Sequence, residues 1–102
     1  MSLENSVRQL RERYPNRIPV IIETKQQNLD ITKKKYLVPK DYTVRDFQQI
    51  IRKKLDLRET EAIYMHVNNI MCLPSTTFMT IMEQQNNPDY LQIVYGKEET
   101  FG

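Results

Sequence analysis

The sequence predicts a single α+β domain, and three observations predict it. The stretch "TVRDFQQIIRKKL" repeats its apolar residues at helical spacing. Strand-like stretches flank it on both sides, "RIPVIIET" and "KKKYLV" before it, "EAIYMHV" and "YLQIVYG" after it. With 102 residues the chain can bury one modest core but not two.

Taken in order, Leu3, Val7, Leu10 and Tyr14 mark the apolar stripe of a short N-terminal helix, which Pro15 stops. So short a helix is marginal alone, so its stripe must dock on another element. "RIPVIIET" reads as a strand with Ile18, Val20 and Ile22 on one face, and Pro19 and Ile21 on the other. Apolar residues on both faces imply cover on both sides. The N-terminal helix is the natural cover for Pro19 and Ile21. Pro19 lacks a ladder donor, which places it at a strand start or an edge.

"KQQNLDIT" is polar and reads as a connection, and "KKKYLV" as a second strand ended by Pro39. Thr43 is a good N-cap, with Asp46 at the capping-box position and Tyr42 and Phe47 at those of a hydrophobic staple. Val44, Phe47, Ile50, Ile51 and Leu55 form the buried face of this helix, and Arg52, Lys53 and Lys54 suit its C-terminal end. "EAIYMHV" alternates with Ile63, Met65 and Val67 inward. Asn68-Asn69 makes a turn into a short strand at 70–72. Phe78, Ile81 and Met82 predict a short helix behind Ser75 or Thr76, and "YLQIVYG" gives the last strand. Two strands, a long helix across them and further strands describe a β-grasp, the ubiquitin fold, with a helix added on the sheet's other face.

Composition narrows the function classes. Hydrophobic residues at 39% and charged residues at 27% fit a soluble globular domain, and a net charge of +2 does not mark a polyanion binder. The longest aliphatic run, Val20-Ile21-Ile22, is far below the ~20 residues of a membrane span. No secretory signal is visible, and the single Cys72 fits a reducing compartment. Two glycines cannot build a phosphate loop, and no metal-ligand spacing is present. His66 and Cys72 have no orienting acid in sequence, so they read as a surface histidine and a buried cysteine rather than as base and nucleophile. "RQLRER" and "RKK" lie on helices among acids, so a solvated face is preferred to RNA contact. The expectation is a protein that is not an enzyme, with no metal, cofactor or nucleic acid. The block "KKKYLVP" has two readings, lysines that protect a sheet edge from aggregation or an edge that accepts an extended peptide.

The segments "YPNRIPVI", "KKKYLVPKDYTVRDFQQIIRKK" and "VNNI" resemble the GABARAP-type ubiquitin-like modifiers of autophagy, the autophagy-related protein 8 family. The resemblance runs from about residue 10 to residue 102 and implies a ubiquitin-like β-grasp with a short N-terminal helical extension. It divides the chain into that extension (1–16), the core (17–96) and a flexible conjugation tail (97–102). It implies a cytoplasmic protein whose Gly102 is joined to phosphatidylethanolamine by activating and conjugating enzymes, with Phe101 as a recognition handle. A processing and deconjugating cysteine protease, and attachment to the autophagosome membrane through the lipid, belong to the same expectation.

Cargo receptors would bind through acidic-aromatic-x-x-aliphatic peptides. The resemblance lines the aromatic pocket with Leu10, Pro19, Ile21, Lys35, Leu37 and Tyr90. It lines the aliphatic pocket with Tyr36, Val38, Pro39, Tyr42, Phe47 and Ile50, and gives Arg17, Lys33, Lys34 and Lys54 the acidic flank. The alternatives are an unconjugated peptide-binding β-grasp adaptor, and a protein-conjugated modifier of the other autophagy branch.

Overall fold

The computed structural model describes residues 3–97, with side chains from residue 8 onward. The expected tail residues 98–102, Phe101 and Gly102 among them, and the side chains of Leu3 and Val7 lie outside the described residues.

The elements are α1 (Leu3–Arg13), β1 (Arg17–Glu23), a 3₁₀ turn (Gln27–Leu29), β2 (Lys35–Pro39), α2 (Val44–Leu55), β3 (Tyr64–Val67), β4 (Ile70–Met71), α3 (Phe78–Gln84) and β5 (Leu91–Gly96). The strands form one mixed sheet in the order β2-β1-β5-β3-β4. β1 and β5 run parallel at its centre, and the other neighbours are antiparallel. This is the ubiquitin-like β-grasp. α2 packs on one face over Ile18, Val20, Ile22, Met65, Leu91 and Ile93, and α1 lies against β1.

The predicted capping box closes α2, since Thr43 Oγ1 accepts from the Asp46 N–H and Asp46 accepts from the Thr43 N–H. Asp56 ends the helix in the left-handed region, which Asp tolerates better than most residues. Phe47 and Ile51 are wholly enclosed beneath it, and Phe47 packs edge-on against Phe78 at 5.5 Å. Asn68 and Asn69 both have positive φ, as a two-residue type I′ hairpin loop requires.

Several expectations need correction. Pro19 is not on an edge strand, because β1 lies between β2 and β5. Its nitrogen faces the β5 side, where the ladder starts only at Val20, so no bond is lost. The cap of α3 is Thr77, whose Oγ1 accepts from the Thr80 N–H, rather than Ser75 or Thr76. The polar connection at 25–32 contributes two core residues, Leu29 and Ile31. His66 is not a surface residue: it is 7% exposed, flanked across the ladders by Val94 and Met71. Cys72 is half-buried rather than enclosed, and burial pushes its thiol up, away from the reactive thiolate.

Candidate functional site: an open sheet edge beside a basic-rimmed hollow

β2 is an edge strand, and its register fixes what it offers. Ile18, Val20 and Ile22 lie opposite Val38, Tyr36 and Lys34, and the Ile22 N–H donates to the Lys34 carbonyl at 2.9 Å. Hydrogen-bonding direction alternates along an antiparallel pair, so Tyr36 and Val38 point their backbone groups at β1. Those of Lys35 and Leu37 face outward. Pro39 has no N–H, and its carbonyl accepts from Tyr42 at 3.0 Å, which closes the edge at that end. The opposite edge, β4, holds two residues. Among the described residues, β2 is the edge long enough to pair with another strand.

Side chains alternate across the sheet with the same period. Lys35 and Leu37 share the α1 face with their register partners Ile21 and Pro19. With Leu10 of α1, Arg17 and Lys33 they line a hollow of ≈ 370 Å³, bordered also by Val20 and Tyr36. Five of the six residues expected for the aromatic pocket thus meet in one concavity. Tyr90 does not line it. It precedes β5 and lines a neighbouring hollow with Pro88 and Asp89.

Most residues expected for the aliphatic pocket lie on the α2 face. Phe47 and Val38 are enclosed, while Tyr36, Tyr42 and Ile50 pack half-buried against that core. The Tyr36 ring stands edge-on to Phe47 at 5.4 Å. The ammonium groups of Lys33 and Lys54 lie 5.0 and 5.8 Å from its centroid, within cation–π range. Burial raises the Tyr36 phenol, and its hydroxyl is enclosed with no hydrogen-bond partner among the described residues. Pro39, assigned to this pocket from sequence, falls by register on the Leu37 face and ends the strand.

The four basic residues differ in availability. Arg17 and Lys33 border the hollow, and Lys54 sits over the Tyr36 ring. Lys34 pairs with Asp30, and that ammonium holds the Asp30 carboxyl below the usual carboxylate range. A row of basic charge beside an open edge attracts acidic segments by long-range steering. Among the described residues no cluster of His, Cys, Asp and Glu could hold a metal, and no helix is long and apolar enough to cross a membrane.

Sequence reasoning missed the support behind the site. The Tyr95 hydroxyl donates to the Leu29 carbonyl at 2.7 Å, fastening to β5 the connection that carries Lys33 and Lys34. The isolated Leu29 and Ile31 in a polar stretch were the signal available.

The family model described as autophagy protein Atg8 ubiquitin like matches residues 3–102. The chain is 42% identical over 96 residues to autophagy-related protein 8e of Arabidopsis thaliana, spanning 91% of this chain and 79% of that protein. The crystal structure of Trypanosoma brucei ATG8 superposes with a TM-score of 0.80 at 32% identity, covering 97% of this chain and 88% of that one.

Proposed function

Because the chain belongs to the Atg8 family of ubiquitin-like autophagy proteins, we propose that it is a modifier joined through Gly102 to phosphatidylethanolamine, and that its β2 edge recruits receptor peptides. It acts in the cytoplasm and, once lipidated, on the autophagosome membrane. Its enzymatic partners are the activating and conjugating enzymes and the processing protease. Residues 1–16, 17–96 and 97–102 serve as extension, body and tail.

One observation carries the peptide reading: the α1-face hollow and the half-buried Tyr36, Tyr42 and Ile50 lie on opposite faces of the same open edge. In an extended strand, residues three apart point to opposite faces. An aromatic-x-x-aliphatic peptide added to β2 would therefore send its aromatic ring to the Leu37 face and its aliphatic side chain to the Tyr36 face. The outward groups of Lys35 and Leu37 would supply the ladder bonds. Arg17 and Lys33 would meet acidic residues ahead of the aromatic one, with Lys34 and Lys54 further along the same flank. Tyr90, outside the hollow, would contribute at most a border.

Register also decides how to test this. Tyr36 packs on Phe47, so its truncation would disturb the core, whereas Leu37 is only half-buried on the α1 face. Leu37→Ala is expected to weaken an acidic-aromatic-x-x-aliphatic peptide by about 1.5–3 kcal/mol, the range for one buried leucine side chain. Calorimetry measures the affinity, and thermal unfolding confirms that the fold persists. Unchanged affinity in the folded variant would remove the pocket assignment.

A further inference from the structure

The chain leaves β5 at Gly96, and the next residue is held from two sides. The backbone N–H of Lys97 donates to Gln26 Oε1 at 2.9 Å, and its ammonium pairs with Glu61 Oε2. These partners sit in different loops, Gln26 between β1 and β2, Glu61 between α2 and β3. Both are anchored in turn. The Gln26 N–H donates to Thr24 Oγ1 at 3.1 Å, and its carbonyl accepts from the Leu29 N–H at 2.9 Å. Glu61 Oε1 accepts from the Arg58 N–H at 3.1 Å, and the Arg52 guanidinium of α2 bonds to the Glu61 carbonyl. The paired side chains are 35% and 28% exposed, so the contact is partly shielded from solvent. The Lys97 ammonium, followed by the Arg58 N–H, holds the Glu61 carboxyl below the usual carboxylate range.

We propose that Lys97 is a positioning residue for the coupling reaction, a latch that fixes where residues 98–102 leave the domain and in which direction. This rests on the modifier reading given above. The proposed reacting residue, Gly102, lies five positions further on, at most about 18 Å away along an extended chain. So short a spacer inherits its placement from its root. A free root multiplies the conformations that a narrow enzyme channel must reject, and restraining it beforehand lowers the ordering cost of docking. Lys97 itself takes no part in bond formation, which occurs at the Gly102 carboxyl.

The test is initial-rate reconstitution with the cognate activating and conjugating enzymes, ATP and phosphatidylethanolamine liposomes. It compares the native chain with Lys97→Glu, Glu61→Lys and the double exchange. Each single variant should raise KM for the modifier roughly two- to fivefold, the span one partly exposed ion pair covers, with kcat nearly unchanged. The exchange should restore KM. A residue that touched the enzyme directly would not be rescued by a partner change on its own surface. Binding of the groove peptide, unchanged in all variants, certifies the fold. If the native chain couples while the single variants keep its KM, or the exchange fails to restore it, the latch is overturned and the modifier reading stands. If the folded native chain binds peptide yet never couples, both are overturned.

Discussion

Tyr95 is fully enclosed, and its hydroxyl reaches from β5 to the Leu29 carbonyl across 66 positions of sequence. Burial first, then the charges of Asp30 and Tyr36, push its phenol from 10.0 up to about 12. The folded state thus prefers the neutral ring while the unfolded chain ionises at its ordinary value. Stability from this source is complete below pH 10 and is lost as pH rises toward 12. Tyr95→Phe should flatten the fall in urea-unfolding free energy across that window. At neutral pH it should cost about 1–3 kcal/mol, because the Leu29 carbonyl is left enclosed and unpaired. A pH profile unchanged by the substitution would assign the loss to another group. Contacts of this kind are what sequence hides. Leu29 and Ile31 stand alone among polar residues, where periodicity carries no signal, and their partner lies in the last strand. His66 misled for a related reason: alternation tells which residues share a face, not whether that face is covered.

At the scale of elements, local chemistry was the readable part. The α2 cap, the Asn68-Asn69 turn and the period-2 strands each depend on neighbours a few residues apart, so they were legible. The α3 cap slipped because Ser75, Thr76 and Thr77 are equally good caps by residue type, and tertiary contacts chose. The Val44 N–H bonds to the Thr76 carbonyl and the Phe78 N–H to the Tyr42 carbonyl, which leaves Thr77 to begin the helix. The edge strand β2 shows the same division. Its lysines were visible in sequence, but their inequality was not. Lys34 is already paired with Asp30, whereas Lys33 borders the hollow. Lys33→Glu should therefore slow association of an acidic-flanked peptide and flatten its salt dependence, with little change in dissociation. Lys34→Glu should do so less. Stopped-flow rates at several ionic strengths measure both, and an effect confined to dissociation would refute steering.

At the scale of the whole molecule, one sheet carries both the proposed peptide edge and the root of the proposed conjugation tail. The order β2-β1-β5-β3-β4 joins the first strand to the last through the parallel β1–β5 pair. No local pattern encodes such a pairing, so it was legible only through the β-grasp that the order of elements describes. That topology leaves β2 open at one edge, while β5 delivers the tail root between the two loops that hold Gln26 and Glu61. The residues lining the groove and those clamping the root do not overlap. Peptide binding and lipid coupling should therefore separate by mutation. Gly102 lacks a Cβ, so the backbone can approach an enzyme closely and its carbonyl is unhindered. A lipid with two acyl chains is enough for stable anchoring, where one is marginal. Deleting Gly102 should abolish coupling, read by liposome flotation and intact mass, and leave the calorimetric affinity for the groove peptide unchanged. Gly102→Ala should at least severely impair coupling, since the added methyl crowds the reacting carbonyl. Normal coupling of the deletion variant would reduce the protein to a binding module. Loss of peptide affinity in the same variant would instead show that tail and groove act as one site.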